Sequence, residues 1–252
     1  PGPDILAVER ASEKVTALDF NPKPEHLSDI LYRWTAPGPP FKSLVLNVNM
    51  AAFNLYSSYL TDSGVLSGAN LPDEKEAITV AEGFLQTLGL YPEDIDPEKT
   101  KTQLFSINNE VLGPAASLSR TKLISVYFFQ KNIDDLVIVY PTGKISVMNL
   151  VVSGGETEPQ VVSARFFYQK VSDTSATYPV KTADEAYEEL KKGDAYIASH
   201  NGNDLNIVIK KVSLGFYVEG RSQDYLMPVI IFEGTNEFIA YVSGVLGEWI
   251  GN

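Results

Sequence analysis

The chain of 252 residues contains no cysteine. Disulfides, thiolate nucleophiles and thiolate-held metals are therefore excluded, although the absence of cysteine does not itself fix a compartment. Histidine is nearly absent too. His26 and His200 are the only two. Neither opens an H-E-x-x-H spacing, so zinc held by histidine is not expected. No run approaches the roughly 18 apolar residues that a membrane span requires. There is no G-x-S-x-G nucleophile elbow. The Thr142-Gly143-Lys144 tripeptide has Ile138 where a phosphate-binding loop would carry its first glycine. Positive charge is scarce, with 20 Lys and Arg against 32 Asp and Glu, a net charge of −12. That balance argues against nucleic acid, whose phosphates are neutralised by cationic side chains, and against an anionic membrane surface as a direct partner. No motif points to a cofactor.

What is present suits a folded chain. Apolar residues make up 44% of it, enough for a substantial core. The first residues, Pro1-Gly2-Pro3, lack an initiating Met, which fits a fragment, a processed form or a tagged chain, and leaves room for an anchor or signal upstream of Pro1.

Helical periodicity over 4–19 places Ala7, Ala11, Val15 and Leu18 on one face, stopped by Asn21-Pro22-Lys23-Pro24. Strands are expected over 30–35, over "KSLVLNVNM" (42–50) and over 53–60. A second helix runs over 72–89. Asp73 caps it with Glu76 three residues on, Ala77, Val80, Ala81, Phe84, Leu85 and Leu88 form its apolar face, and Gly89 ends it. Strands follow near 101–108, 122–130, 136–140 and 144–152, the last two joined by a turn at "YPTGKI". "VSGGETEPQ" (152–160) is the best linker, followed by a strand over 161–171. A third helix and strands near 206–219, 226–232 and 237–243 complete the chain. The fold class is α+β, in two modules, each an antiparallel sheet with a helix packed on one face. The modules are expected at 1–157 and 158–252. The order "SVYFFQ", "LVIVY", "KISVMN" in the first parallels "SLGFYVE", "MPVIIF", "EFIAYVS" in the second, a similarity of plan rather than a strict repeat.

The acid-rich stretch "YPVKTADEAYEELKKGDAYIASH" (178–200) is the natural place to look for a catalytic site. Helix chemistry accounts for it instead. Thr182 and Glu185 form a capping box, and Ala183, Ala186, Tyr187 and Leu190 share one face. Asp184 and Glu185 lie in the first turn, Lys191 and Lys192 in the last, and Gly193 follows. Glu188 is placed to pair with Lys192. Two oxygen-rich loops, with Asp94, Asp96 and Glu98 and with Asn201, Asn203, Asp204 and Asn206, lack EF-hand spacing and read as solvated turns. Clustered strand aromatics remain. Consecutive ones point to opposite sheet faces, and Phe129, Phe167, Phe216 and Tyr217 are candidates for a partner-binding surface.

Glu185-Ala186-Tyr187, Gly193, Gly215-Phe216-Tyr217, Pro228, Tyr241-Val242 and Gly244 together resemble the pattern of YycH/YycI-like and PepSY-like extracytoplasmic bacterial domains. The stretch "SVYFFQKNIDDLVIVYPTGKISV" is similar to the same kind of module, and the resemblance covers most of 72–245. It implies a membrane tether N-terminal to the domain, no catalytic residues, and engagement with envelope proteins. Members of the YycH/YycI type regulate a cell-wall histidine kinase, and PepSY-type domains are often linked to peptidase inhibition.

The expected function is thus a non-catalytic, extracytoplasmic protein-interaction or regulatory module, with an envelope protein as partner and self-association as a further possibility. Two alternatives stand beside it. One is a carboxylate-dependent hydrolase of envelope glycan or peptide, which needs two carboxylates converging in a cleft. The other is a structural subunit of a cell-surface assembly.

Overall fold

The computed structural model describes residues 5–38, 40–172, 174–175, 177–202 and 206–246. Asp4, the expected start of the first helix, and Asn203 and Asp204 of the second oxygen-rich loop lie outside the described residues. In chain order the elements are α1 (Ile5–Thr16), β1 (Glu25–His26), β2 (Leu31–Ala36), β3 (Lys42–Asn47), β4 (Ala52–Ser57), α2 (Ser63–Ser67), α3 (Glu74–Leu88), β5 (Lys101–Asn108), β6 (Val111–Pro114), β7 (Leu123–Tyr127), β8 (Val137–Val139), β9 (Met148–Ser153), β10 (Gln160–Phe167), α4 (Ala183–Lys192), β11 (Tyr196–Ser199), β12 (Ile209–Tyr217), β13 (Met227–Gly234) and β14 (Ile239–Ser243). No helix among the described residues is long and apolar enough to cross a membrane. The chain is α+β, and it divides into two compact units. One comprises 1–128 and 148–168, the other 129–147 and 169–252.

The first unit is built on a sheet in the order β1-β2-β3-β4-β10-β9-β7-β5-β6, nine strands among the described residues. All its pairings are antiparallel. α3 starts where Asp73 accepts a hydrogen bond from the Glu76 amide at 2.8 Å and ends at Gly89, whose φ of +65° suits a residue without a side chain. Its apolar stripe buries Ala77, Ala81, Leu85 and Leu88. Removing a leucine such as Leu85 from water contributes about 1.5–3 kcal/mol. Phe84 of α3 meets Phe53 at 6.0 Å, and Phe53 stacks on Phe166 at 5.3 Å, so one aromatic cluster joins the helix to β4 and β10. α1 is fastened by Trp34, which is fully buried and donates its indole N–H to Ser12 Oγ at 3.2 Å. The opposite sheet face is covered by α2, whose Val65 packs on Leu123, Val151 and Val162.

The second unit has the sheet order β11-β14-β13-β12-β8. α4 covers one face, seating Ala186 against Ile230, Phe232, Phe238, Ala240 and Val242. The other face carries Val229, Ile231, Ile239 and Tyr241. β12, β13 and β14 form an antiparallel meander. β8 runs parallel to β12, with Val137, Ile138 and Val139 opposite Gly215, Phe216 and Tyr217.

Several expectations change. The boundary expected at 157/158 falls inside the first sheet, because β10 pairs with both β4 and β9. The expected linker is a close-packed turn in which Gly154 and Gly155 are buried. The parallel plan of the two halves breaks at β8. β7 pairs directly with β9, and β8, which the plan sets beside them, serves the second sheet instead. The turn at "YPTGKI" exists, with Gly143 at φ +66° and a Tyr140–Gly143 bridge, but it joins strands of different sheets. β3 stops at Asn47 rather than Met50, because the Asn47 side chain accepts from the Asn49 amide at 2.9 Å and turns the chain. Glu188 pairs with Lys191, three residues on, rather than with Lys192. Tyr187 is 42% exposed and lies at the edge of α4's packed face, not within it.

Candidate binding surface

The four candidate aromatic residues do not form one surface. Phe129 is buried and meets Tyr140 edge-on at 5.9 Å within the second unit. Phe167 belongs to the first unit, half-buried at the end of β10 opposite Ala52. Phe216 and Tyr217 are both half-buried on β12, and the pleat sends them to opposite faces.

Tyr217 joins two other tyrosines. Its ring lies 5.7 Å from Tyr241 and 6.1 Å from Tyr196, and the Tyr196 and Tyr241 rings are nearly parallel at 6.2 Å. The Tyr241 hydroxyl donates to the Tyr140 carbonyl and the Tyr196 hydroxyl to the Pro141 carbonyl, both at 3.1 Å. Lys144 forms an ion pair with Glu237 at 2.9 Å. These contacts strap segment 140–144 across this face of the second sheet. Burial is the main cause that pushes the Tyr217 phenol up to about 12, with the neighbouring Tyr196 and Glu219 adding to it. Burial also pushes Tyr241 well above the ordinary phenol range. The tyrosine face is thus largely spent on holding the chain's own strap.

The face under α4 is different. A groove of about 480 Å³ runs beside the helix, lined by Tyr187, Ile207, Val208, Ile209, Val212 and Phe232 among others. Its walls are apolar yet open to solvent. Val208 is 61% exposed and Val212 42%. The Tyr187 ring leans on Phe232 at 6.2 Å, and the Lys191 ammonium lies 5.1 Å from the Tyr187 ring centre.

Beside this groove the sheet has an open edge. β8 covers only Gly215–Tyr217 of β12. No strand among the described residues pairs with Ile209–Leu214 on that side. The Val218 amide donates to the Val139 carbonyl at 3.0 Å. With a period of two, the backbone groups of Phe216, Leu214 and Val212 point the same way. The Gly215–Val137 pairing takes up the Leu214 carbonyl, so the Leu214 N–H and the N–H and C=O of Val212 are left without a strand partner among the described residues, next to the groove. Lys210 and Lys211 are exposed there, and Lys211 pairs with Glu233 at 2.8 Å. Charged residues of this kind keep an open edge from pairing indiscriminately. The signal was in the sequence, because a Lys-Lys pair inside "IVIKKVSLGF" marks an edge strand rather than a buried one.

The other candidate residues are dispersed. Asp94 receives a hydrogen bond from Tyr168, while Asp96 caps its own turn through the Glu98 amide and pairs with Lys99 at 3.4 Å. His26 lies 5.1 Å from the Tyr32 ring and His200 edge-on to Phe238 at 6.2 Å. Among the described residues no three His, Asp or Glu side chains gather in a way that could hold a metal ion.

No protein-family model matches the chain, and no curated protein matches it. Among solved structures the chain is similar to the Bacillus megaterium YpeB C-terminal domain, with 10% sequence identity, a TM-score of 0.41, and coverage of 96% of this chain and 92% of that one.

Proposed function

We propose that the protein is a non-catalytic, extracytoplasmic interaction module that binds an extended segment of another envelope protein along β12. The observation that carries this reading is the uncovered length of β12, Ile209–Leu214, lying beside an apolar groove. Strand addition uses that combination. The open backbone supplies hydrogen bonds, and the pocket beside it selects alternate side chains. β8 already uses this edge from within the chain, so the edge is competent for pairing. The extracytoplasmic location, and a tether N-terminal to residue 1, rest on the resemblance of the 182–244 pattern to YycH/YycI-like and PepSY-like domains.

The test is Val212→Pro. Proline is tolerated where an edge-strand N–H faces solvent, but it removes the donor an incoming strand needs. Immobilised protein is incubated with envelope extract, and the retained proteins are identified by mass spectrometry. The reading expects a partner held by the unaltered protein and lost by the folded V212P variant. A partner retained equally by both, or none at low salt, rejects it.

A further inference from the structure

We propose that Asn201 is a modification site at which the chain alters itself: the Gly202 amide nitrogen closes on the Asn201 side chain, and the asparagine becomes aspartate or isoaspartate. This does not rest on the β12 edge, because Asn201 and Gly202 lie in the loop that follows β11. Asn201 is the one asparagine of the chain that a glycine follows. A Cβ on the next residue shields that residue's amide nitrogen, and glycine has none.

The fold leaves this dipeptide open. Both residues are exposed. Gly202 has a φ of +112°, and nothing lies within 4 Å of the place a Cβ would occupy. Its amide donates no backbone hydrogen bond among the described residues, so the attacking nitrogen is not engaged. Other asparagines are tied down. The Asn149 side chain donates to the Val126 carbonyl at 3.1 Å, Asn70 donates to the carbonyls of Gly155 and Glu156, and Asn47 accepts the Asn49 amide. Branched residues follow each of them, Leu150, Leu71 and Val48.

The reaction needs only water. Hydroxide takes the Gly202 amide proton, and the nitrogen attacks Asn201 Cγ. The Cγ–Nδ2 bond breaks, and Nδ2 takes a proton from water and leaves as ammonia. Water then opens the succinimide ring at either carbonyl. One opening gives aspartate, and the other gives isoaspartate, whose main chain runs through the former side chain. The Asn201 side chain hydrogen-bonds to Glu237, whose carboxylate is held below its ordinary range chiefly by Lys144. The Lys144–Glu237 pair fastens the strap. Modification removes this donor and sets a second carboxylate beside Glu237, so the change acts on the strap's own ion pair.

The experiment ages the full chain at mildly alkaline pH, folded and in urea, and maps its peptides by mass spectrometry. The folded chain is expected to exchange amide for acid at position 201 before any other asparagine. Two products should separate, one of them a substrate for an isoaspartate methyltransferase. Asn201→Gln, which would have to close a larger ring, is expected to slow the change at least severalfold. Carboxyl-carbon NMR should show Glu237 titrating at higher pH in the aged chain than in the fresh one. Asn201 intact in the folded chain, whether or not urea exposes it, overturns the proposal, and so does earlier modification at another asparagine. An unmoved Glu237 overturns the link to the strap. The mapping is made on the unaltered chain, so it decides the matter even if the variant does not fold.

Discussion

The hydroxyl of Tyr241 donates to the carbonyl oxygen of Tyr140 at 3.1 Å, tying β14 to a segment 101 residues earlier in the chain. That segment leaves the first sheet after β7 and returns at β9, so this bond helps decide where an excursion of the chain comes to rest. The Tyr140 carbonyl also accepts the Gly143 amide at 3.1 Å. Deleting the phenol therefore does not orphan a buried acceptor, and the cost is that of one ordinary hydrogen bond. Tyr241→Phe is expected to lower stability by about 1 kcal/mol, read from the urea midpoint. Amide exchange over 140–144 should accelerate. Unchanged exchange in that segment would show that the strap is held by other contacts.

The capping box of α4 makes a second quantity measurable. Thr182 Oγ1 accepts the Glu185 amide at 3.3 Å, and the Thr182 amide donates to Glu185 Oε2 at 2.8 Å. Thr182→Ala is expected to cost about 1 kcal/mol at neutral pH. The Thr182 amide and, second to it, the Thr182 hydroxyl donate to the Glu185 carboxylate at 2.8 and 2.9 Å and hold its pKa below the ordinary 4.5. A depressed carboxylate stabilises the fold above its unfolded value and loses that contribution as pH falls through the folded one. The difference between wild type and T182A in urea melts should therefore narrow below about pH 4.5. A difference that stays constant through the acid range would contradict this account of the cap.

Helices were the most legible part of the sequence, because their signals are local. Asp73, Thr182, Gly89 and Gly193 mark ends that the structure places at the same residues. What could not be read was which strand pairs with which. "LVIVY" has the pattern of a strand in either sheet, and only tertiary packing sends β8 to β12. The glycine pair at 154–155 reads as flexible but serves close packing. The tight turns at Asn109-Glu110, Asp134-Asp135 and Asn236-Glu237 have both residues at positive φ without a glycine, so the usual Asn-Gly signal is missing. The groove beside β12 was only partly marked in the sequence. Phe216 and Tyr217 lie on β12, the strand that carries the open edge, yet the groove is lined by Val208 and Val212, which alternation alone assigns to a core.

Two phenols provide an alkaline probe. Burial, chiefly, raises Tyr91 and Tyr217 to about 12, and Tyr91 also donates to Glu82 at 3.0 Å. A phenol whose folded pKa lies above its unfolded one contributes fully below the unfolded value of 10.0 and loses that contribution as pH rises through about 12. Phenolate absorbance should show these two ionising late, with unfolding promoted over that interval. Tyr91→Phe and Tyr217→Phe should each remove one late-ionising phenol. If both titrate with the exposed tyrosines, the packing described around them is wrong.

Two glycine substitutions should move stability in opposite directions. Gly83 lies within α3, and a Cβ there meets nothing within 4 Å. Alanine at 83 removes the entropic penalty of glycine in a helix and is expected to stabilise by about 1 kcal/mol. Gly154 follows β9, and a Cβ there would lie 1.8 Å from the backbone oxygen of Ala69. No side chain can rotate away to relieve that contact. The segment after α2 or the β9–β10 turn must move, and the cost is expected at or above the top of the about 1–3 kcal/mol range for overpacking. Urea denaturation of G83A and G154A separates a structural junction from a linker. A flexible linker would accept alanine at 154 as readily as the helix accepts it at 83, and that result would restore the domain boundary expected from the sequence.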